Sequence, residues 1–295
     1  MDPLDGRVAV ITGAASGLGL ALARLAWSSG MSIVLADVQR EALARATAEF
    51  GGEGARLACL QVDVSRDEQV RSLAEFACER FGRVNLLVNN AGVGGGGYVW
   101  EASAAEWAWV LGVNLLGAAH GIRHFVPRML AAEADGEPGH VVNVASVAGW
   151  LCAPLMGVYN ASKHAVVALT ETLHHDLRLS GSAIGTTLVC PAFFPTAIAQ
   201  SSRNRPPELQ DPQPPTASQL QAQQAMEHAV ASGRIDAARV AEMVFDAVRA
   251  GRFYVFTHPK IVPSIDARFR AVIDAGAPAD PYAGKPQSRP VPPDR

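Results

Sequence analysis

The chain has 295 residues, 49% of them hydrophobic and 18% charged, against about 25% charged in an average globular domain, which supplies ample apolar material for a packed core and excludes global disorder. A net charge of −3 with no basic run gives no footprint for nucleic acid or an anionic membrane, and no stretch nears the ~18 consecutive apolar residues that span a bilayer, so a small-molecule partner is expected. Cys59, Cys78, Cys152 and Cys190 form neither a CxxC pair nor a Cys/His cluster, and Met1–Asp5 has no leader-like character, so no disulfide framework and no metal is expected and a reducing cytoplasmic setting fits.

Short apolar runs alternate with longer helical patterns along the chain. Arg7–Thr12 reads as a strand followed by a helix over Gly17–Ser29, then a strand at Ser32–Ala36 and a helix over Gln39–Phe50. Strands at Arg56–Val62 and Val84–Val88 flank a helix over Asp67–Phe81, with Ser65 as its expected N-cap and Gly82 as its stop. One long helix is predicted over Ala105–Ala132, then a strand at His140–Ala145, a helix over Tyr159–Leu179 stopped by Gly181, and a strand at Ile184–Cys190. A proline-rich stretch from Ser201 to Thr216 leads into a helical segment over Ala217–Ser232, a helix over Asp236–Ala250 and a last strand at Phe253–Phe256. The strands are apolar at nearly every position, as when helices cover both faces of a parallel sheet. The expected fold is therefore a three-layer, doubly wound α/β structure with a seven-stranded parallel sheet. A single domain over 1–275 is expected, with 194–235 as a substrate lid and 276–295, which holds six prolines, as a tail.

The first strand ends in Thr12-Gly13-Ala14-Ala15-Ser16-Gly17-Leu18-Gly19 and runs straight into a helix. Glycines let the backbone approach a pyrophosphate, whose charge is stabilised by free N–H groups and the positive end of the helix dipole. The bland alternative is a tight strand-to-helix connection. Asp37 closes the second strand, where a carboxylate can accept from both hydroxyls of an adenosine ribose and repel a 2′-phosphate. Val38 and Ser16 offer no basic clamp, which favours NAD over NADP; a solvated strand end or helix cap is the alternative for Asp37. Tyr159 and Lys163 stand four apart on one helix face, with Ser146 thirteen residues before the tyrosine. An ammonium beside a phenol lowers its pKa and fits the tyrosine for proton exchange.

Taken together, these residues resemble the short-chain dehydrogenase/reductase family. The set is Thr12-Gly13-x-x-x-Gly17-x-Gly19, Asp63-Val64, Asn89-Asn90-Ala91-Gly92, Asn114, Ser146, Tyr159-x-x-x-Lys163 and Pro191, in the family's order and spacing. The resemblance implies a Rossmann fold, with Tyr159 as acid/base, Ser146 as partner of the reacting oxygen, Lys163 as pKa modulator and ribose ligand, and Asn114 holding a relay water. It also implies a cofactor site of Gly13, Ser16, Gly17, Leu18, Gly19, Asp37, Asp63, Val64, Asn90, Ala91, Gly92, Tyr159, Lys163, Pro191, Phe194 and Thr196. The family usually has Pro-Gly where this chain has Pro191-Ala192, followed by Phe193-Phe194.

The implied activity is hydride transfer between NAD(H) and a secondary alcohol or ketone. Ser146, Trp150, Phe193 and Phe194 are expected to line an uncharged, hydrophobic substrate pocket, and the helix carrying Tyr159 is expected to form a homodimer or homotetramer interface. Arg203 and Arg205 read as solvated loop charges, with a contact to substrate or pyrophosphate as the alternative. The rival readings are an NADPH-dependent carbonyl reductase, which Asp37 opposes, and a non-catalytic NAD-binding regulator, which would be expected to lack Tyr159 or Lys163.

Overall fold

Seven strands form one parallel sheet in the computed structural model, which describes residues 3–134, 136 and 139–284. They are β1 (Val8–Thr12), β2 (Ser32–Asp37), β3 (Leu57–Gln61), β4 (Leu86–Asn89), β5 (His140–Val144), β6 (Gly185–Cys190) and β7 (Tyr254–Phe256), in the order β3-β2-β1-β4-β5-β6-β7. The doubly wound three-layer expectation holds, and each expected strand lies within two or three residues of an observed one. Val10 stands opposite Val34 of β2 and Leu87 of β4. The chain winds outward from β1 in one direction and from β4 in the other, so the loops leaving these strands diverge and open a crevice at their C-terminal ends.

Alternate residues of β1 feed different layers. Ala9 and Ile11 pack with α1 (Gly17–Ser28) and α8 (Ala237–Ala250) around Phe245, whereas Val8 and Val10 pack with α3 (Asp67–Phe81) and α5 (Gly117–Glu133) around Phe125. Both phenylalanines are fully enclosed, and burying each contributes roughly 1.5–3 kcal/mol. Beside these layers run α2 (Arg40–Glu49) against β2 and β3 and α6 (Gly157–Leu179) against β5 and β6.

Three local expectations change, while the helix expected from Ala217 stands. The long helix is broken into α4 (Ala104–Leu111), a wide π turn at Gly112–Leu116 that holds Asn114, and α5. Ser65 does not cap α3: Arg66 takes the cap position, while the Ser65 hydroxyl and N–H both donate to Asp63 Oδ1, at 2.7 and 2.9 Å. A helix missing from the sequence reading, α9 (Val262–Ile273), follows β7 and buries Ile265. The segment after β6 contains two tight helical turns, Ala197–Asn204 and Pro207–Leu209, then α7 (Ala217–Ala231), whose Thr216–Gln219 capping box supplies a start that mean hydropathy alone does not mark. Residues 276–284 of the expected tail carry neither helix nor strand, and 285–295 lie outside the described residues.

Candidate active site

Three glycines shape the turn after β1. Gly13 and Gly17 have φ of +63° and +52°, and a Cβ on Gly19 would run into the carbonyl oxygen of Gly13. The first turn of α1 has Ser16 at its N-cap with no side-chain cap bond and no acidic residue, so its dipole is not met by a side chain. Leu18 turns its side chain into the core, leaving only backbone to face the turn. Thr196 hangs over the same place, its methyl 3.4 Å from where a Cβ of Gly17 would sit.

Asp37 is buried at the end of β2. Its Oδ2 accepts from the Ala15 N–H at 3.0 Å and its Oδ1 from the Gln39 N–H at 2.9 Å. Asp63 is committed to Ser65 through Oδ1 and lies 3.7 Å from Arg66 through Oδ2, while Val64 is buried against Gly117. Thr12 Oγ1 accepts from the N–H groups of Asn90 and Ala91 at 3.0 and 3.1 Å, and the Asn90 amide donates to Thr12 O at 2.8 Å, joining the β1 and β4 turns into one floor. A Cβ on Gly92 would lie 3.6 Å from Lys163 Nζ and 3.4 Å from Asn114 Oδ1, so this glycine leaves a gap beside them.

The structure brings Ser146, Tyr159, Lys163 and Asn114 together. Ser146 follows β5; its Oγ accepts from Ala148 N–H at 3.1 Å and donates to Pro191 O at 3.3 Å, and the hydroxyl works to lower the pKa of the Tyr159 phenol. Tyr159 and Lys163 are buried on one face of α6. Lys163 donates to Val144 O at 2.9 Å. Asn114, in the π turn, closes a pair with Val93, accepting from its N–H at 2.8 Å and donating to its O at 3.0 Å, and also donates to Ser162.

The electrostatics differ from the expectation that Lys163 lowers the Tyr159 pKa. Lys163 Nζ lies over the ring, 5.8 Å from its centroid, and is committed to a backbone carbonyl. Burial raises the phenol and only the Ser146 hydrogen bond opposes it. The same burial brings the Lys163 ammonium down to about 8.

Two of the expected pocket walls face elsewhere. The Trp150 indole donates to Cys190 Sγ at 3.1 Å and packs among Tyr254, Phe256 and Phe269, drawn to the sheet edge by the aromatic residues of β7 and α9. Phe194 is buried in the layer that holds Leu18 and Phe245, and Phe193 is 39% exposed. Burial of aromatic area decides both cases. Arg205 is not a solvated charge either: it pairs with Asp211 at 2.7 Å and lies 5.5 Å from the Trp109 ring centroid.

The sequence reading expected 194–235 to act as a lid but did not name the residues that α7, within it, packs against. Gly94–Gly97 passes under α7, where a Cβ on Gly94 would lie 3.0 Å from Met226 Sδ and one on Gly96 2.7 Å from Ala222 Cβ. The Gly94 N–H donates to Ser201 Oγ at 2.9 Å and the Tyr98 N–H to Ser218 Oγ at 2.8 Å. The signal was present as a glycine run beside Ser218, Ala222 and Met226, spaced four apart on one helix face.

Comparison with known proteins agrees with this arrangement. The family model described as short chain dehydrogenase matches residues 7–207. A CLA biosynthesis dehydrogenase/reductase of Lactiplantibacillus plantarum is 33% identical over 282 residues, covering 94% of this chain and 97% of its own. A C alpha-dehydrogenase of a Sphingobium species is 32% identical, covering 95% and 90%. The crystal structure of a short chain dehydrogenase/reductase from Burkholderia phymatum in complex with NAD superposes with a TM-score of 0.92 at 51% identity, over 95% of this chain and 99% of that one.

Proposed function

The chain belongs to the short-chain dehydrogenase/reductase family of oxidoreductases, and from that premise we propose that it transfers hydride between NAD(H) and a hydrophobic secondary alcohol or ketone. The observation that carries the reading is the burial of Tyr159 and Lys163 one turn apart on one face of α6, with Lys163 Nζ 5.8 Å from the Tyr159 ring centroid. NAD is favoured over NADP by Asp37, whose buried carboxylate is held by two backbone N–H groups and would repel a 2′-phosphate. The relative from Burkholderia phymatum, in complex with NAD, supports the same choice.

The residues present fit such a dinucleotide. Gly13 and Gly19 let the turn after β1 close tightly on itself and on Asn90, Gly17 carries no side chain between α1 and Thr196, α1 offers an uncapped N-terminus, and Gly92 leaves space beside Lys163. The pyrophosphate would lie at Gly13, Ser16, Gly17 and Gly19, the adenosine at Asp37, Asp63 and Val64, and the nicotinamide end at Asn90, Ala91, Gly92, Pro191 and Thr196. When bound, the cofactor supplies or takes up the hydride.

The chain's own part is proton handling and orientation. Ser146 and Tyr159 donate hydrogen bonds to a carbonyl oxygen during reduction, and Tyr159 delivers the proton as the alkoxide forms. In oxidation the phenolate removes it, with Ser146 opposing the rise in pKa that burial imposes. After reduction Tyr159 would regain its proton from Lys163, and after oxidation would pass it back the same way, with Asn114 placed to hold a relay water.

The substrate is proposed to be hydrophobic because Leu155, Ala222 and Met226 stand around Gly94–Gly97, with the buried Glu106 against Gly95 on the α4 side. A homo-oligomer is proposed through α6, where Val166, Val167 and Thr170 are buried but Ala161 and Ala168 lie exposed as a small-residue face. A panel of secondary alcohols and ketones, read by NADH and NADPH absorbance, tests the function. Turnover of hydrophobic members with NAD(H) is expected; NAD binding without turnover of any member rejects the reaction.

A further inference from the structure

The segment between β6 and α7 was expected to lie over the substrate, yet its contacts run much further. From Thr196 above Gly17 it continues to the end of β2, where the Gln39 side chain, with its oxygen toward the donors, accepts from Arg203 Nε at 2.8 Å and lies against the Asn204 amide. Arg203 is braced from behind, donating to Ala197 O at 3.0 Å and Gln200 O at 2.7 Å. Beyond the next turn Glu208 reaches Arg66 at 2.7 Å, at the N-terminus of α3. The segment then returns to α4, where Asp211 accepts from the Ser103 hydroxyl at 2.5 Å.

Gln39 is two residues from Asp37 and Arg66 three from Asp63, the two carboxylates assigned to the adenosine. Both ties are therefore made beside that end of the site, on the far side of β1 from Tyr159. We infer that this segment builds the outer wall of the adenosine end of the dinucleotide site, through Arg203 and Asn204 on Gln39 and Glu208 on Arg66, in addition to leading into the helix that covers the substrate side. The inference rests on the dinucleotide reading above.

Two consequences separate this wall from a lid over the nicotinamide. A nucleotide that lacks nicotinamide is enough to order it, and the ties must open before the dinucleotide leaves. An exposed ion pair and one polar side-chain contact together are worth about tenfold in a dissociation rate.

Hydrogen exchange on the full chain, free and with 5′-AMP, ADP-ribose or NAD, tests the first point. All three are expected to slow exchange at residues 203–209 as well as at 13–19. Slowing at 13–19 alone overturns the inference and leaves the dinucleotide reading intact; slowing at neither removes both. For the second point, Asn204→Ala with Glu208→Ala, both outside the Tyr159 cluster, is expected to release NADH about tenfold faster in stopped-flow displacement while the pH profile of kcat stays in place. An unchanged release rate overturns the inference.

Discussion

Asp37, at the end of β2, accepts a hydrogen bond at 3.0 Å from the N–H of Ala15 in the turn after β1, so a strand end and the neighbouring glycine turn are locked as one unit. The carboxylate is thereby oriented before any ligand arrives, which removes part of the ordering cost of binding.

Removing that carboxylate tests cofactor choice. Asp37→Ala is expected to lower kcat/KM for NAD by about ten- to a hundredfold, the value of hydrogen bonds to a charged group. Adding Val38→Arg is expected to raise the NADP rate relative to NAD. Steady-state kinetics with both cofactors checks it, and equal kcat/KM for NAD and NADP in the unmodified chain contradicts the assignment.

Tyr159→Phe is expected to lower kcat by about 10²–10⁴-fold with NADH affinity nearly unchanged, since it removes only the proton. Alcohol oxidation needs the phenolate, so its rate rises with pH. Because the Ser146 hydrogen bond lowers the phenol against the effect of burial, Ser146→Ala is expected to move that rise to higher pH as well as slow the reaction. A pH–rate series on the two variants checks both statements.

Lys163 carries a stability cost that pH reveals. Its ammonium falls from 10.5 to about 8 on burial, so between these values the unfolded chain binds more protons and stability rises with pH. Below about 8 the cost of the buried charge is fully present. Lys163→Met is expected to raise Tm at pH 7 while abolishing turnover, and its advantage is expected to shrink as pH climbs toward 10.5. Thermal melts across pH 6–11 measure it.

Gly96 lies under α7, with Ala222 Cβ 2.7 Å from where its own Cβ would be. Gly96→Ala is expected to push α7 outward and raise KM for bulky alcohols, with NADH binding unaffected. Ala222→Gly in the same chain is expected to restore part of the loss, which a mere folding defect would not allow.

Ala168, on the open face of α6, tests assembly. Ala168→Arg is expected to shift the mass measured by light scattering at micromolar protein toward that of one chain.

The sheet was legible because its strands are short, apolar on both faces and separated by capped helices; seven strands placed in sequence became seven in space. The glycine turn, Asp37, Ser146, Tyr159 and Lys163 were legible because each chemistry needs its own residue type at a fixed spacing. The contacts between distant segments were not. Trp150 and Phe194 gave no sign in their own neighbourhoods that β7, α9 and α8 would claim them, and Lys163 gave no sign that Val144 O would take its proton donor. The π turn is hidden because Gly112, Val113 and Asn114 weaken a helix without saying how it will be wound. For α9 the signal was present: Pro263 at its start and Ile265, Phe269 and Val272 at helical spacing.

Under α7 the partner surface is bare main chain, Gly94 to Gly97. Substitution on that side can only add atoms, so divergence there is one-way and narrows the space. On the helix side, Ala222 and Met226 bring side-chain atoms to that contact, so a change there can take atoms away as well as add them. Selection for new substrates, natural or in a library, therefore has its wide field of variation in α7, while the glycine run acts as a fixed template against which each new helix face is read.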